Sequence, residues 1–468
     1  MEERGRYYGE FSAQAAAGII VPVTEPPPPG RLLHHLTHFP APGPKTRPVV
    51  DASSRCGMPL RCLNDFMDQG PSLLSDLLKV QLRLRAHRYA LAADLRKAFY
   101  SLRVWPGFQA ALRIVLPKDN AQPITYENYQ IWQYTHVIMG CNASPWLLQA
   151  CIRLLCSKAV ASGEYFSLTK TEVEAVPGAT YADNVVIGFM EEEDGGRLAH
   201  GLCDLFALAS FTLGSFGSFG SNAHSVKAAI PADCYTEDSV FKNLGILWHL
   251  ASDCISILPP SFEDIPPAGL MARDLASGIA KAYDPIGFFT PVMLTGCLLM
   301  QQAHATCSGW DDRLPAELEK AWNALWGQLE LLGGLHLPRQ VFGGSGPALL
   351  LVCSDASDMA YGYALYIAQP YSSNPTCNLA LARCRMVPLE KKGLLQTTPR
   401  KELWGAEFAA RAAKFVVGCL GPFSQVVHFI DSAIVLAWLR AQEAPRAYET
   451  RRVQAIMDTS PTKDFRWI

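Results

Sequence analysis

The sequence predicts an α+β protein of about three folded regions, and three observations support this prediction. Strand and helix patterns alternate between residues 46 and 250. Between residues 251 and 345, apolar residues recur at helical spacing in "AELEKAWNALWGQLELL". From residue 346 onward, the predicted order is strand, strand, helix, strand, helix, which is typical of a mixed α/β domain.

The composition indicates a globular chain and argues against two classes of protein. Hydrophobic residues make up 49% of the 468 residues and charged residues 18%, which suffices to bury hydrophobic cores. The net charge of −2 argues against binding to polyanions through overall charge. The longest apolar stretch is "PIGFFTPVMLTGCLLM". It is short and interrupted by proline, glycine and threonine, so we expect no membrane segment.

Residues 1–45 are expected to be a lead-in to the first folded region, which is expected to begin near Arg47. The segments "TEPPPPGRLLHH" and "FPAPGPKTRP" are rich in proline. The N-terminal "MEERGRYYGEF" lacks the apolar core of a signal peptide, so a cytoplasmic or nuclear, not secreted, protein is expected. The 14 cysteines include no Cys-x-x-Cys pair, and His34, His35 and His38 have no matching cysteines. Zinc is therefore not expected.

A basic stretch runs from Lys79 to Lys118, with Asp94 as its only acid. Such a stretch suits the phosphates of a nucleic acid, and it equally suits a solvated helix face. Charge alone leaves both interpretations open. Its cations are Lys79, Arg83, Arg85, Arg88, Arg96, Lys97, Arg103, Arg113 and Lys118.

An aspartate, Asp183, interrupts the apolar and β-branched segment "ATYADNVVIGF". A buried carboxylate costs several kcal/mol unless a cation compensates it. The flanking residues predict two short strands joined by a tight turn at Asp183 and Asn184. A metal ligand and an ordinary turn on a surface hairpin are both compatible with this segment alone.

A second acid, Asp94, ends the predicted apolar strand in "RYALAADLRKAFYSLRV". Two carboxylates at strand ends could share divalent cations. Between the two acids, "MGCNASPWLLQA" offers Gly140 for a close backbone approach. Ser144 is predicted to cap a helix in which Pro145 is the first residue.

Four segments, in their order along the chain, resemble parts of the fingers and palm of a reverse transcriptase. The resemblance rests on "RPVVDAS", "AADLRKAF", "MGCNASP", and "YADN" in place of Tyr-x-Asp-Asp. The chain is most similar to the Pol polyprotein of the BEL/Pao class of long-terminal-repeat retrotransposons. The segments that carry this similarity, in chain order, are "LNDFMDQGPSLLSDLLKVQLRLR", "YDPIGFFTPV", "GWDDRLP", "SDASDMAYGYALY" and "PRKELWGAE". They cover nearly the whole chain.

The resemblance implies the domain order. Residues 46–250 would form the reverse transcriptase fingers and palm with an antiparallel palm sheet, and residues 251–345 a helical thumb or connection region. Residues 346–468 would form a ribonuclease H-like mixed α/β domain that is truncated at its C-terminus. A fourth acid of the family is expected beyond "DFRWI", and Asp458 and Asp464 are not convincing substitutes.

The resemblance also implies an RNA-directed DNA polymerase that uses Mg²⁺ or Mn²⁺, an RNA template, a DNA primer and deoxynucleoside triphosphates. Asp94, Asp183 and Asn184 would hold the metal ions of nucleotidyl transfer. The residues that would bind the nucleotide are Arg47, Lys45, Phe99 and Gly140. A solvated Lys45 and a core aromatic at Phe99 remain the alternatives.

In the C-terminal region, the resemblance implies metal-binding carboxylates at Asp355, Glu402 and Asp431 that cut the RNA of an RNA–DNA hybrid. Asp355 and Asp431 follow predicted strands and Glu402 lies on a predicted helix. Glu407, on the same helix, is expected at the surface.

Two departures from the family pattern bear on activity. Asn184 stands where the family has a second aspartate, which removes one negative charge from the metal site. The segment "FTLGSFGSFGSN" lacks the lysine of the family, and its repetition predicts a flexible loop. Two hypotheses therefore remain: an active polymerase with ribonuclease H, and a catalytically silent retroelement remnant that binds nucleic acid without copying it.

Overall fold

The computed structural model describes residues 2–26, 30, 32–41, 46–55, 61–218, 222–236, 238–258, 269–344, 346–388, 397–460 and 462–468. Lys45 lies outside these residues. Two units are present. The first comprises Met1–Ser75, Ala93–Val185 and Arg197–Phe216, and the second comprises Asp76–Ala92, Val186–Gly196 and Gly217–Ile468.

Among the described residues up to 218, five α-helices and three 3₁₀ helices flank short strands. The helices and strands up to residue 218 are α1 (Glu2–Ala16), β1 (Ile20–Pro22), β2 (Thr37–Pro40), β3 (Pro48–Asp51), α2 (Leu77–Leu84), β4 (Tyr89–Leu95), β5 (Arg113–Pro117), β6 (Tyr129–Tyr134), α3 (Ser144–Ser162), α4 (Lys170–Ala179), β7 (Thr180–Tyr181), β8 (Asn184–Phe189), α5 (Asp194–Ala207) and β9 (Leu213–Ser218). Among the 3₁₀ helices is Ala98–Ser101.

The second half holds longer helices and the largest sheet. Its elements are α6 (Asn222–Ala229), β10 (Val240–Asn243), β11 (Ile246–His249), β12 (Cys254–Ile257), α7 (Ala272–Lys281), α8 (Thr290–Thr306), α9 (Ala316–Leu332), β13 (Leu337–Pro338), β14 (Leu349–Ala356), β15 (Ala360–Gln369), β16 (Thr376–Met386), α10 (Thr398–Leu420), β17 (Gln425–Ile430), α11 (Ala433–Ala441), α12 (Ala447–Thr459) and β18 (Phe465–Trp467). Among the described residues, no helix is long and apolar enough to cross a bilayer.

The N-terminal helix belongs to the core of the first unit. Tyr7 and Phe11, one turn apart on α1, are buried together with Ile114 and Tyr134. Strand β1 pairs antiparallel with β6, and β6 pairs with β5. The expectation that the first folded unit begins near Arg47 is therefore wrong. The signal for α1 is the i, i+4 spacing of Tyr7 and Phe11, which places both rings on one face of a helix. This signal lies before the proline-rich segment on which the prediction was based.

The sheet that carries the candidate polymerase acids has the strand order β7-β8-β4-β9. Strand β4 is almost wholly buried up to Ala93, as expected for a central strand with apolar residues at every position. Strand β9 lies within the segment "FTLGSFGSFGSN", where the sequence suggested a loop. Leu213 and Phe216 are buried there, and this burial outweighs the low strand propensity of glycine and serine.

The largest sheet has the order β16-β15-β14-β17-β18. Strands β14, β15 and β16 are antiparallel neighbours, whereas β17 runs parallel to both β14 and β18. Helix α10 covers the sheet, and its Ala409, Ala413 and Val416 are buried with Leu350 and Leu365 of the strands. The predicted helices and strands of this region are confirmed, and β16, α12 and β18 are additional.

The basic stretch from Lys79 to Lys118 is not a continuous surface feature. Arg85 is fully buried and donates hydrogen bonds to the carbonyl oxygens of Arg339, Ala380 and Leu379. Arg113, at 6% exposure, is buried as well. These two arginines serve neither a phosphate backbone nor a solvated helix face.

Candidate active sites

The first candidate site forms where β4 approaches the β7–β8 hairpin. Leu95 N donates to Asp183 O at 2.8 Å, which fixes the end of β4 against the hairpin turn. Thr180 pairs with Val185, and Tyr181 with Asn184, in the antiparallel hairpin. The turn consists of Ala182, at φ +52°, and Asp183. The tight turn is confirmed, and its central residues lie one position earlier than expected.

Asp94 presents an unsatisfied oxygen at this site. Its neighbours Ala93 and Leu95 are each 2% exposed, and Asp94 itself is half-buried. Asp94 Oδ1 is buried and has no hydrogen-bond partner among the described residues. Leaving such an oxygen unpaired costs about 1–3 kcal/mol or more. A cation at this position would remove that cost.

Asp183 lies close enough to Asp94 to interact with its charge. Burial raises the pKa of Asp183, and the carboxylate of Asp94 raises it further. Two neighbouring carboxylates are stabilised together by a shared divalent cation.

Asn184 makes a contact that an aspartate could not make. Its Nδ2 donates to Asp183 Oδ1 at 3.0 Å. The amide therefore occupies one lone pair of the carboxylate and brings no charge of its own. A cation at Asp183 has to replace this hydrogen bond or use the second carboxylate oxygen.

A buried glutamine supports the hairpin turn. Gln149 on α3 is 1% exposed, and its Nε2 donates to Ala182 O at 2.9 Å. Gln149 is not among the site residues predicted from the sequence; a polar residue on the apolar face of a helix is the signal that could have identified it. Helix α3 begins at Ser144, so Ser144 is its first residue and not its cap, and Ser144 Oγ donates to Ile138 O at 2.6 Å.

Gly140 allows the close backbone approach that the sequence suggested. Its φ is +102°, and a Cβ there would lie 2.7 Å from Val50 O of β3. Asn64 Nδ2 donates to Gly140 O at 3.1 Å. Arg47 is exposed just before β3, and Phe99 is half-buried in a 3₁₀ helix. Among the described residues, no hydrogen bond or ion pair joins Arg47 to Asp94 or Asp183.

The second candidate site lies at one edge of the large sheet. Strands β14 and β17 are parallel, with Ser354 opposite Ile430, so Asp355 and Asp431 follow side by side. Helix α10 packs against this edge through Gly405, whose absent Cβ would lie 3.1 Å from Asp355 O. Glu402, one turn earlier, thereby joins the two aspartates, and one carboxylate oxygen from each residue lies within 4.8 Å of the others.

The charge in this triad is poorly compensated by the protein. Burial raises the pKa of Glu402 to about 7, and the carboxylates of Asp431 and Asp355 contribute to the increase. Glu402 is 8% exposed, whereas both aspartates are exposed. Three convergent oxygen donors with this electrostatic character fit a divalent cation such as Mg²⁺.

Comparison with known proteins finds a family match in the second half of the chain. Residues 271–432 match the model of the Pao retrotransposon-like RNaseH-like domain. Over these residues the chain is similar to that retrotransposon domain. The match includes α7, α8 and α9 and so begins before residue 346, where the sequence suggested a domain boundary. No curated protein matches the chain in sequence.

Solved structures of foamy viral protease-reverse transcriptase share the fold of this chain. The form labelled dRH, in complex with double-stranded DNA, superposes with a TM-score of 0.63 at 14% identity, over 97% of this chain and 68% of that one. A second complex with double-stranded DNA gives 0.63 at 14% identity, over 99% and 82%. A complex with an RNA/DNA hybrid gives 0.57 at 13%, over 98% and 52%. The fold is that of a reverse transcriptase with a ribonuclease H-like domain.

Glu407 does not lie where the sequence predicted. It is 7% exposed and not at the surface. Its two carboxylate oxygens form ion pairs with Arg411, one turn later, and with Arg452 of α12. Glu407 therefore stabilises the packing of α10 on α12 and does not belong to the carboxylate triad.

Proposed function

We propose that the chain is an RNA-directed DNA polymerase with a ribonuclease H activity, each located at one of the two carboxylate sites. One observation carries the polymerase proposal. In a reverse transcriptase fold, Asp94 offers a buried carboxylate oxygen without a hydrogen-bond partner, next to Asp183 on the adjoining hairpin. Clustered carboxylates of this kind are what phosphoryl transfer through bound divalent ions requires.

At the polymerase site, Asp94 and Asp183 would hold Mg²⁺ or Mn²⁺, with Asn184 as a neutral neighbour. Such ions supply Lewis-acid stabilisation of the charge that develops on phosphate oxygens. Gln149 keeps the hairpin turn, and thus Asp183, in position through Ala182 O. Leu95, which follows Asp94, donates its backbone N–H to Asp183 O, and Asn184, which follows Asp183, pairs with Tyr181 in the hairpin. The backbone of both acids is therefore held in place.

The nucleotide subsite of the proposal comprises Arg47, Phe99 and Gly140, with Lys45 outside the described residues. Arg47 would hold the triphosphate through its planar guanidinium. Phe99 would pack under the sugar and exclude a ribose 2′-hydroxyl. Gly140 provides backbone close to β3 where a side chain would collide with Val50 O.

At the ribonuclease H site, Asp355, Glu402 and Asp431 would hold the same ions and direct cleavage of RNA paired with DNA. Glu402 bears the raised pKa, so it is the member whose ionisation depends most on the bound cation. The proposed partners are an RNA template, a DNA primer, deoxynucleoside triphosphates and an RNA–DNA hybrid. A cytoplasmic or nuclear location remains a prediction.

Primer extension on an RNA template tests the polymerase proposal. The full chain with Mg²⁺, and separately with Mn²⁺, should extend a DNA primer, and Asp94→Asn should abolish extension. A labelled RNA–DNA hybrid should be cut by the parent and not by Asp355→Asn. Extension that persists unchanged in Asp94→Asn would contradict the assignment.

A second function is favoured by one observation. The hydrogen bond from Asn184 Nδ2 satisfies one lone pair of Asp183 Oδ1 without a metal. This suits a catalytically silent remnant that retains the fold and binds nucleic acid. Such a chain would bind a primer–template without extending it, in the presence of either metal.

A further inference from the structure

Arg96 lies at the end of the strand that carries Asp94. Leu95 N donates to Asp183 O at 2.8 Å on one side of β4, and Arg96 N donates to Thr212 O at 2.8 Å on the other. Side chains alternate along a strand, and Leu95 is 2% exposed between two half-buried neighbours. The side chains of Asp94 and Arg96 therefore project from the same face of the sheet.

The side chain of Arg96 lies across Gly214 of β9. A Cβ built on Gly214 would lie 2.1 Å from Arg96 Nε and 2.8 Å from its Cγ and Cδ. Any other residue at 214 would displace the guanidinium. The φ of Gly214 is not in the left-handed region, so the missing side chain serves this close contact and not an unusual backbone conformation.

The nucleotide subsite proposed above has Arg47 as its described cation, and among the described residues Arg47 forms no hydrogen bond or ion pair with Asp94 or Asp183. A second cation, beside these acids, would complete the subsite. A nucleotide carries a polyphosphate, and Asp94 and Asp183 repel it unless positive charge is present. Strand β9, "LGSFGS", carries no cation of its own. Lys97, two residues beyond the end of β4, is exposed and has φ +51°, which turns the chain away into the 3₁₀ helix.

We propose that Arg96 binds the polyphosphate of the incoming nucleotide beside Asp94, and that Gly214 lacks a side chain so that the guanidinium can lie there. This inference rests on the proposed polymerase function. The planar fork of arginine binds phosphate oxygens in pairs and keeps its charge at any physiological pH. The described cation nearest in sequence to Asp94 thus becomes part of the nucleotide site.

Binding of inorganic tripolyphosphate in Mg²⁺ buffer, measured by titration calorimetry on the full chain, tests the inference. Arg96→Gln should weaken binding by roughly ten- to a hundredfold, the loss expected for one charge-assisted contact. Gly214→Ala should weaken it similarly, since its Cβ displaces the guanidinium. Arg6→Gln is the matched control, because Arg6 is exposed on α1 in the same unit and loses the same charge. Binding unchanged in Arg96→Gln overturns the inference.

Two double variants separate the proposed contact from a general loss of structure. Arg96→Ala/Gly214→Ala should bind no more weakly than Arg96→Ala alone, because both changes remove the same guanidinium. Arg96→Gln/Gly214→Lys should recover binding, because a lysine at 214 returns a cation to the vacated space. Additive losses in the first variant, or no recovery in the second, overturn the inference.

Primer extension by the same variants distinguishes failure of this inference from failure of the proposed function. If the parent binds tripolyphosphate through Arg96 but extends no primer, the polyphosphate site stands and the polymerase proposal fails. If the parent extends primers and Arg96→Gln extends them with unchanged KM for the nucleotide, the polymerase stands and the inference fails. A parent that does not bind tripolyphosphate also overturns the inference.

Discussion

The two carboxylate sites differ by one charge and by how that charge is compensated. At the ribonuclease H-like site, three acids converge within 4.8 Å and hold the pKa of Glu402 near 7 through burial and mutual repulsion. At the polymerase-like site, Asp94 has a buried oxygen without a hydrogen-bond partner among the described residues, and the third position is Asn184, whose amide donates to Asp183. The comparison shows that an amide relieves repulsion within the apoprotein and, for the same reason, weakens the attraction for a second dication.

The largest expected effect is a separation of the two activities. Asp94→Asn should reduce primer extension by about a thousandfold or more and leave hybrid cleavage unchanged. Asp355→Asn should do the reverse, because the two sites lie in different units. Primer-extension and hybrid-cleavage assays on each variant measure the two activities separately. Loss of both activities in either variant, with the chain still folded by circular dichroism, would contradict two independent sites.

The second largest effect is expected from restoring the missing negative charge at residue 184. Asn184→Asp should raise extension with Mg²⁺ on the order of a hundredfold, since a second carboxylate at the hairpin returns about 3 kcal/mol of transition-state stabilisation. Single-nucleotide extension rates of parent and variant provide the measurement. A parent as fast as the variant would show that the amide suffices, and an inert variant would favour the silent remnant.

The support of the hairpin turn should matter less than the acids themselves. Gln149→Leu removes the donor to Ala182 O and should reduce the extension rate by about tenfold, because Asp183 is then less firmly positioned. Gln133→Leu is the matched control, since Gln133 bonds to Gln109 elsewhere in the unit. Equal rates in both variants would show that Gln149 has no positioning role.

The raised pKa of Glu402 predicts a pH dependence of metal binding. Below about pH 7 the carboxyl is protonated, so Mn²⁺ affinity at the triad should fall by up to about tenfold per pH unit as the pH decreases. In the metal-free protein, the pKa of Glu402 is higher in the folded state than in the unfolded state, so protonation of its carboxyl favours the folded state. Its contribution is present at low pH and is lost as the pH rises through about 7. Glu402→Gln should flatten both profiles, and Mn²⁺ titrations between pH 5.5 and 8 provide the test.

Glu407 supplies the smallest expected effect and a control on the same helix. Glu407→Gln should lower the free energy of unfolding by about 1–3 kcal/mol, because Arg411 and Arg452 lose their shared partner. Mn²⁺ affinity should stay at the parent value. Denaturant unfolding and metal titration of this variant measure the two quantities, and a changed metal affinity would mean that Glu407 contributes to the triad.

Asp94 and Asp183 could be predicted from the sequence because each interrupts or ends an apolar strand segment, where an unpaired carboxylate costs free energy. Asp355, Glu402 and Asp431 were predicted from the family resemblance. The sequence did not identify Gln149 or the contact between Arg96 and Gly214, because both depend on which helix or strand approaches the site in three dimensions. Strand β16, "TCNLALARCRM", contains residues that favour helices, and its pairing with β15 overrides that preference. Glu407 was misplaced because its ion-pair partner Arg452 comes from the distant helix α12.

Electron paramagnetic resonance titration of the full chain with Mn²⁺ tests the central claim, that both carboxylate sites hold divalent cations and differ by one charge. The parent should show a tighter class of sites that Asp355→Asn removes and a weaker class that Asp94→Asn removes. Asn184→Asp should tighten only the weaker class. A titration that Asp94→Asn leaves unchanged would contradict a metal site at Asp94 and Asp183.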